Sequence, residues 1–169
     1  MHSGFRPANA STKNHGAAAG APPLPSGAVP IRTATAADHP RLLRLWRAAV
    51  EATHDFLTPA DVDALDPQVA AYLADVPELL VAESGSGIQG FIGADGRSIE
   101  MLFVDPAVHG RGVGTALIAA LGPGPLTVDV NEDNPSGRRF YAARGFVEVG
   151  RSPLDGEGRP FPLLHLRRD

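Results

Sequence analysis

The sequence contains no cysteine. A disulfide framework, a thiolate-bound zinc and a cysteine nucleophile are therefore excluded. Lysine is almost as scarce, with Lys13 alone beside fourteen arginines. From residue 14 onward no lysine is left for a Walker-type phosphate loop or a Schiff base. No apolar run approaches the roughly 18 residues of a membrane span, so no membrane partner is expected. Basic charge is not in excess either. The formal charge is −4, with a pI of about 5.8. Residues 1–28 hold Arg6 and Lys13 and no acid, which leaves 13 basic and 19 acidic groups, a net of −6, on residues 29–169. A protein that tracks phosphates wants a basic surface, so nucleic acid is not an expected partner.

Large apolar side chains are nearly missing from residues 1–28, which are mostly Ala, Gly, Pro, Ser and Asn. Such a segment buries too little surface to offset its ordering entropy and is expected to be disordered. It has no uninterrupted apolar core of a secretory signal, and Pro22, Pro23 and Pro25 would break a helix there. With no signal and no cysteine, the expected compartment is the cytoplasm. Residues 29–169 are expected to form a single domain.

The patterning gives the elements. Ile31–Thr35 reads as a strand. Asp38 is expected to cap a helix with Pro40 in its first turn and a buried stripe of Leu42, Leu45, Trp46, Ala49, Val50 and Thr53. Thr58-Pro59 is expected to close that helix, and residues 61–75 to form one or two short, weakly apolar helices. Leu79–Glu83, Ile88–Ala94 and Ser98–Val104 form a meander through the turns Ser84–Gly87 and Asp95-Gly96. A glycine-rich segment leads into a helix over Val113–Leu121. Leu126–Val130 is a strand, and Asn134-Pro135 opens a helix stopped by Gly145. Phe146–Gly150 and Pro162–Leu166 are the last strands. The class is α+β, a mixed sheet with helices packed on it.

Gly110, Gly112 and Gly114 lie between a strand and a helix. Glycine there lets the backbone approach a ligand, and a helix N-terminus adds partial positive charge, so the junction is a candidate anion site. Arg111 could add a charge-assisted bond. A tight turn needing glycine only for its dihedrals is the plainer alternative. Thr115 stands where a dinucleotide fingerprint would have its third glycine, and no lysine follows as in a Walker loop.

The run IEMLFVDPAVHGRGVGTALI resembles motif A of the GNAT superfamily of acyl-CoA N-acyltransferases, whose pattern is Q/R-x-x-G-x-G/A after a strand. Gly112 and Gly114 match it, and His109 replaces the usual Arg or Gln. The stretch LTVDVNEDNPSGRRFYAARGF is similar to motif B, with Asn134 and Tyr141 at its spacing and Gly137 where Ala is usual. Residues 53–58, THDFLT, and the ending GRSPLDGEGRPFPLLHL are similar to a YjaB-like bacterial branch. The resemblance covers about residues 30–168. It implies the GNAT fold: a mixed, mostly antiparallel seven-stranded sheet with a splayed parallel pair, flanked by about four helices.

The resemblance also implies an activity. Acetyl-CoA would be the acyl donor and an amine the acceptor, a small molecule or a peptide, by direct attack in a ternary complex. Backbone around Leu102, Phe103 and Val104 would pair with pantetheine, with Phe103 or Val104 as oxyanion donor. The loop His109, Gly110, Arg111, Gly112, Val113, Gly114 and Thr115 would hold the pyrophosphate. Asn134 would cap its helix and touch CoA. Tyr141 would also contact CoA and protonate the leaving thiolate; the alternative is an aromatic on a buried helix face, but its neighbour Phe140 would leave one of the two pointing away from the core.

An alkylammonium must lose a proton before it attacks, so a base is needed. The resemblance implies Glu100, in the strand before the loop where several family members carry their general base, with Asp129 on the neighbouring strand as the rival; either could instead orient the acceptor. His54, Asp55 and Phe56 follow the first helix, where the resemblance implies acceptor-binding groups, with helix capping as the alternative for His54. His165 reads as a satisfied core histidine that could also reach the cleft. Glu51, Asp55, Asp61, Asp63 and Asp66 suit a cationic acceptor or form a solvated helix face. No metal site is expected. A catalytically silent acyl-CoA-binding module is the runner-up, and an enzyme acting on aminoacyl-tRNA is disfavoured by the negative charge. The assembly is expected to be a monomer or homodimer.

Overall fold

A computed structural model describes residues 29–169, so the segment 1–28 lies outside the described residues. The described elements are β1 (Ile31–Thr33), α1 (His39–Thr53), α2 (Pro59–Asp75), β2 (Glu78–Ser84), β3 (Gly87–Asp95), β4 (Ser98–Val104), α3 (Val113–Ala120), β5 (Leu126–Asn131), α4 (Pro135–Ala142), β6 (Val147–Ser152) and β7 (Leu163–Arg168). The strands form one seven-stranded sheet in the order β1-β2-β3-β4-β5-β7-β6. Every neighbouring pair is antiparallel except β4 and β5. This is the GNAT architecture that the two motifs imply.

Two cores form because strand alternation sends apolar side chains to both faces. Val81, Phe91, Met101 and Phe103 meet Leu42, Leu45, Trp46 and Ala49 of α1 and Val62, Leu65, Val69 and Leu73 of α2. Ile92, Leu102, Val104, Val128, Val130, Leu164 and Leu166 meet α3 and α4 through Leu117, Ile118, Phe140 and Tyr141.

Three local readings are corrected. Asp38 does not cap α1 with its side chain. Its carboxylate instead accepts from the Thr35 amide at 2.7 Å and from both terminal nitrogens of Arg32, at 2.8 and 3.0 Å. A 3-10 turn at Ala36–Asp38 is the result. Thr58-Pro59 opens α2 rather than closing α1: Thr58 Oγ1 accepts from the Asp61 amide at 3.1 Å, and the Thr58 amide donates in turn to Asp61 Oδ2 at 2.8 Å. That is a capping box with Pro at the first helical position. Finally, residues 61–75 belong to one helix that continues through Pro67. Pro67 is exposed, so the carbonyl left without an amide partner by the proline ring can be hydrated.

Candidate active site

β4 and β5 pair only at Ser98↔Thr127 and Ile99↔Val128. Beyond those pairs the strands open as a fork, with Glu100–Val104 on one arm and Asp129–Asn131 on the other. The other edge of β4 is bonded to β3. The Asp105 amide donates to Gln89 O at 2.8 Å on that side. Backbone alternation therefore turns Phe103 N–H toward β3, and the amides of Leu102 and Val104 into the fork. An extended ligand chain entering the fork would find backbone groups to pair with, as an added strand does.

Glu100 is half-buried and sits at a bulge, because Gly93 pairs with Met101 and Ala94 with Ile99. The simple alternation expected across this strand fails there. Ile99 and Met101, two residues apart, serve opposite cores. The extra residue in the strand turns the alternation over at Glu100.

The fork leads into the glycine loop. Asp105 Oδ1 accepts from the Ala107 amide at 3.0 Å and starts a 3-10 turn at Pro106–Val108. His109 Nε2 lies 3.4 Å from Val104 O, so this side chain folds back on β4. Gly110 and Gly112 have φ of 75° and 79°, in the left-handed region that favours glycine. A Cβ at Gly110 would meet nothing within 4 Å, so the loop surface there is open. Gly112 is the N-cap of α3, whose first turn presents the amides of Val113, Gly114 and Thr115 without intrahelical acceptors. Gly90 lets this helix end sit low on the sheet, since a Cβ there would lie 3.0 Å from both Phe103 O and Val113 Cγ1. Arg111 is exposed beside the loop.

Arg144 is a residue that the sequence reading passed over. Its Nε donates to Thr115 Oγ1 at 2.8 Å, and its guanidinium stacks 3.6 Å over the Phe140 ring. Partial burial lowers its pKa below the usual arginine value. A second cation thus stands at the first turn of α3. The available signal was the arginine before Gly145, on the same motif as Tyr141.

On the far arm, Asn134 is buried and caps α4 by accepting from the Gly137 amide at 3.0 Å. Tyr141 and Phe140 are both buried, which overturns the argument that one of the neighbours must face away from the core. Tyr141 packs edge-on against Phe140 and Phe146, each with centroids 5.1 Å away. Its hydroxyl is buried without a hydrogen-bond partner. Burial pushes this phenol far above its ordinary pKa, so it holds its proton at neutral pH. Asn131 accepts from the Asp133 amide at 2.9 Å, while its Nδ2 is buried and unpartnered. Orphaned polar atoms of this kind are costly in a finished core and mark a place for a ligand atom. The open cradle, the two orphaned atoms and the unpaired strand edge together fit an acyl-CoA.

The opposite face of the sheet at β5 and β7 is polar. Val128, Val130, Leu164 and Leu166 point to the α3 and α4 core, so Asp129, Asn131 and His165 lie on the face shared with α1 and α2. α1 packs on β3 and β4 there. Asp129 and His165 are cross-strand partners, and His165 Nδ1 lies 2.6 Å from Asp129 Oδ1. His165 Nε2 lies 2.7 Å from Ser152 Oγ.

At the α1–α2 corner His54 is buried, with its Nδ1 2.8 Å from Thr53 Oγ1. The Thr53 hydroxyl donates to Ala49 O at 2.7 Å, so it accepts from His54 Nδ1–H. Phe56 lies between the His54 ring at 5.2 Å and the Phe161 ring at 5.9 Å, and so links this corner to the β6–β7 connection. Asp55 is exposed. The acidic cluster is largely occupied internally. Arg47 pairs with Glu51, Asp63 and Asp66, and Asp61 caps α2. Among the described residues no group of three or more His, Asp and Glu gathers as a metal site, and no helix is long and apolar enough to cross a membrane.

A fork beside a glycine cradle, with a buried unpaired phenol on the helix that follows β5, is an arrangement with room for a thioester on a phosphate-bearing carrier. The chain belongs to the GNAT acetyltransferases. The description "acetyltransferase (GNAT) domain" matches residues 76–148. Peptidyl-lysine N-acetyltransferase YjaB of Salmonella typhimurium is 37% identical over 80% of this chain and 95% of its own length. YjaB of Escherichia coli is 36% identical over 82% of this chain and 95% of its own. The solution structure of apo YjaB from Escherichia coli superposes with a TM-score of 0.75 at 36% identity, covering 82% of this chain and 96% of that one. The PaiA N-acetyltransferase of Thermoplasma acidophilum, solved with coenzyme A, shares the fold with a TM-score of 0.67 at 16% identity over 83% of this chain and 98% of that one. This protein is an N-acetyltransferase.

Proposed function

We propose that the chain transfers the acetyl group of acetyl-CoA to the ε-amine of a lysine side chain in another protein, by direct attack in a ternary complex. The acceptor follows the printed activity of the YjaB relatives. The observation that carries the donor half is the buried Tyr141 hydroxyl without a partner, on the helix that follows β5. In this reading the α3 amides and Arg144 hold the pyrophosphate, and the fork-facing backbone of Leu102 and Val104 pairs with pantetheine. Val104 N–H faces where the oxyanion would develop, and Phe103 N–H does not. Tyr141 gives its proton to the leaving sulfur, a role that suits a phenol kept neutral by burial. His54, Asp55 and Phe56 border the acceptor, with Phe161 as a further wall. With no cysteine, no cysteinyl acyl-enzyme is available. The proposed compartment is the cytoplasm.

A silent acyl-CoA-binding module would have no use for an unpaired phenol. The test is acetyl transfer from radiolabelled acetyl-CoA to lysine peptides by the full-length protein. Label on the lysine ε-nitrogen is the expected result. Transfer only to small polyamines would overturn the peptide acceptor.

A further inference from the structure

Asn131 is the last residue of β5, and counting on from Ile99↔Val128 places it across the fork from the Leu102–Val104 segment. It falls inside the stretch similar to motif B but is not one of the positions that carry that similarity. Its carbonyl accepts from the Asn134 amide at 3.0 Å, and its Oδ1 accepts from the Asp133 amide at 2.9 Å. The second bond fixes which end of the side-chain amide is oxygen, so Nδ2 is a donor. The residue is fully buried, and Nδ2 has no partner. On the β7 side Asn131 meets its register partner Leu163, which is buried and has no accepting side chain. On the other side no strand follows at this level, because β4 pairs with β5 only as far as Val128. The fork is therefore the side from which an acceptor atom can come. The turn to Asp133 asks only for an oxygen, which an aspartate would supply as well. The amide nitrogen has no use inside the protein, and burying it unpaired is costly.

We propose that Asn131 Nδ2 donates a hydrogen bond to the thioester oxygen and, with the Val104 amide, forms an oxyanion hole of two donors. This deepens the acetyl-transfer reading and rests on it. A thioester under attack gathers charge at two atoms, oxygen and sulfur. β5 and the helix after it leave two buried donors without partners, Asn131 Nδ2 and the Tyr141 hydroxyl. Tyr141 belongs to the α3–α4 core, whereas Asn131 alternates with Val128 and Val130 and so lies on the opposite face. The two donors thus approach from opposite sides of the sheet, one for each charged atom.

The step balances as follows. The lone pair of the neutral amine forms the C–N bond, and the carbonyl π pair moves to oxygen, between Val104 N–H and Asn131 Nδ2–H. That pair returns as the C–S bond breaks, and sulfur takes the Tyr141 proton. The amine brings two protons and the amide keeps one. The other leaves to solvent, from which Tyr141 is reprotonated. Asn131 moves no proton. Its contribution is electrostatic and depends on being fixed before the reaction, which its two turn bonds provide.

The test compares full-length wild type with Asn131→Ala and Asn131→Asp. Asn131→Asp keeps an oxygen for the Asp133 amide and removes the donor. Rates are measured at pH 8 with the amine that the wild type acetylates fastest. Calorimetry measures the binding of CoA, acetyl-CoA and S-ethyl-CoA, a thioether in which a methylene replaces the carbonyl. Both variants should lose about 10²-fold in kcat, with CoA affinity within about twofold of wild type. Wild type should bind acetyl-CoA about tenfold more tightly than S-ethyl-CoA, which leaves the buried donor unpaired. That gap should narrow about threefold or more in Asn131→Ala. A wild-type kcat in Asn131→Ala would overturn the proposal. So would recovery of kcat in Asn131→Asp, which would assign Asn131 to its turn alone. An equal loss of affinity for all three ligands would place the contact on a pantetheine amide and overturn it too. Equal affinity of wild type for acetyl-CoA and S-ethyl-CoA would overturn it without any variant having to fold. Failure of wild type to bind any of the three would instead strike the acetyl-transfer reading itself, and the same titrations separate the two failures.

Discussion

The two arms of the fork are made of different material. The β4 arm and the loop beyond it offer mainly backbone: strand edge, left-handed glycines and the amides that open α3. The β5 arm offers side chains: Asp129, Asn131, Asn134 and Tyr141, joined by His165 and Ser152 from β7 and β6. Backbone groups suit a ligand whose chemistry never varies. Side chains suit proton transfer, where pKa and tautomer must be set one group at a time. The difference teaches that donor binding and proton handling should be separable by mutation.

The largest predicted effect is on chemistry alone. Tyr141→Phe should lower kcat about 10²-fold with acetyl-CoA affinity unchanged, as read by parallel rate and calorimetric measurements. Stability should hold or rise slightly, because the variant removes a buried hydroxyl that has no partner. The converse effect belongs to the β4 arm. Gly112→Val places a β-branched residue at φ 79°. The left-handed conformation costs roughly 1–2 kcal/mol, so the loop should relax and acetyl-CoA should bind about tenfold more weakly. Gly90→Ala tests the support beneath the cradle. Its Cβ would press on Phe103 O and Val113, and overpacking of this kind costs about 1–3 kcal/mol. Chemical denaturation should report that loss together with weaker acetyl-CoA binding.

Much of the β4 arm and its glycine loop was legible in the sequence, because left-handed turns require glycine at fixed local spacing. The element order was legible for a similar reason, since turns and alternation are local signals. The bulge at Glu100 was not, because one extra residue in a strand leaves no mark on composition. Nor was the role of Arg47, which draws Glu51, Asp63 and Asp66 together from two helices. An acidic stretch that looked available for a cation is mostly held by the protein itself. The pair Asp129 and His165 is separated by 36 residues and made by strand register alone. Only the placement of β7 beside β5 reveals it.

Smaller effects should fall outside both arms. Thr58→Ala removes the cap of α2 and should cost about 1 kcal/mol of stability, measured by urea unfolding, with kcat at the wild-type value. Asp38 supplies a pH signature of the β1 corner. The Arg32 guanidinium holds its carboxyl well below the usual carboxylate range. Its stabilisation is therefore fully present above about pH 3.9 and is lost as pH falls below that value. Asp38→Asn should flatten the stability curve in that acid window and leave kcat at neutral pH at the wild-type value.

The most direct test is calorimetric titration of acetyl-CoA into three full-length proteins: wild type, Gly112→Val, and the combined Asp129→Asn, His165→Gln, Ser152→Ala variant. Division of labour between the arms predicts weakened binding in Gly112→Val and wild-type affinity in the combined variant. Equal loss in both, or loss only in the combined variant, would contradict it.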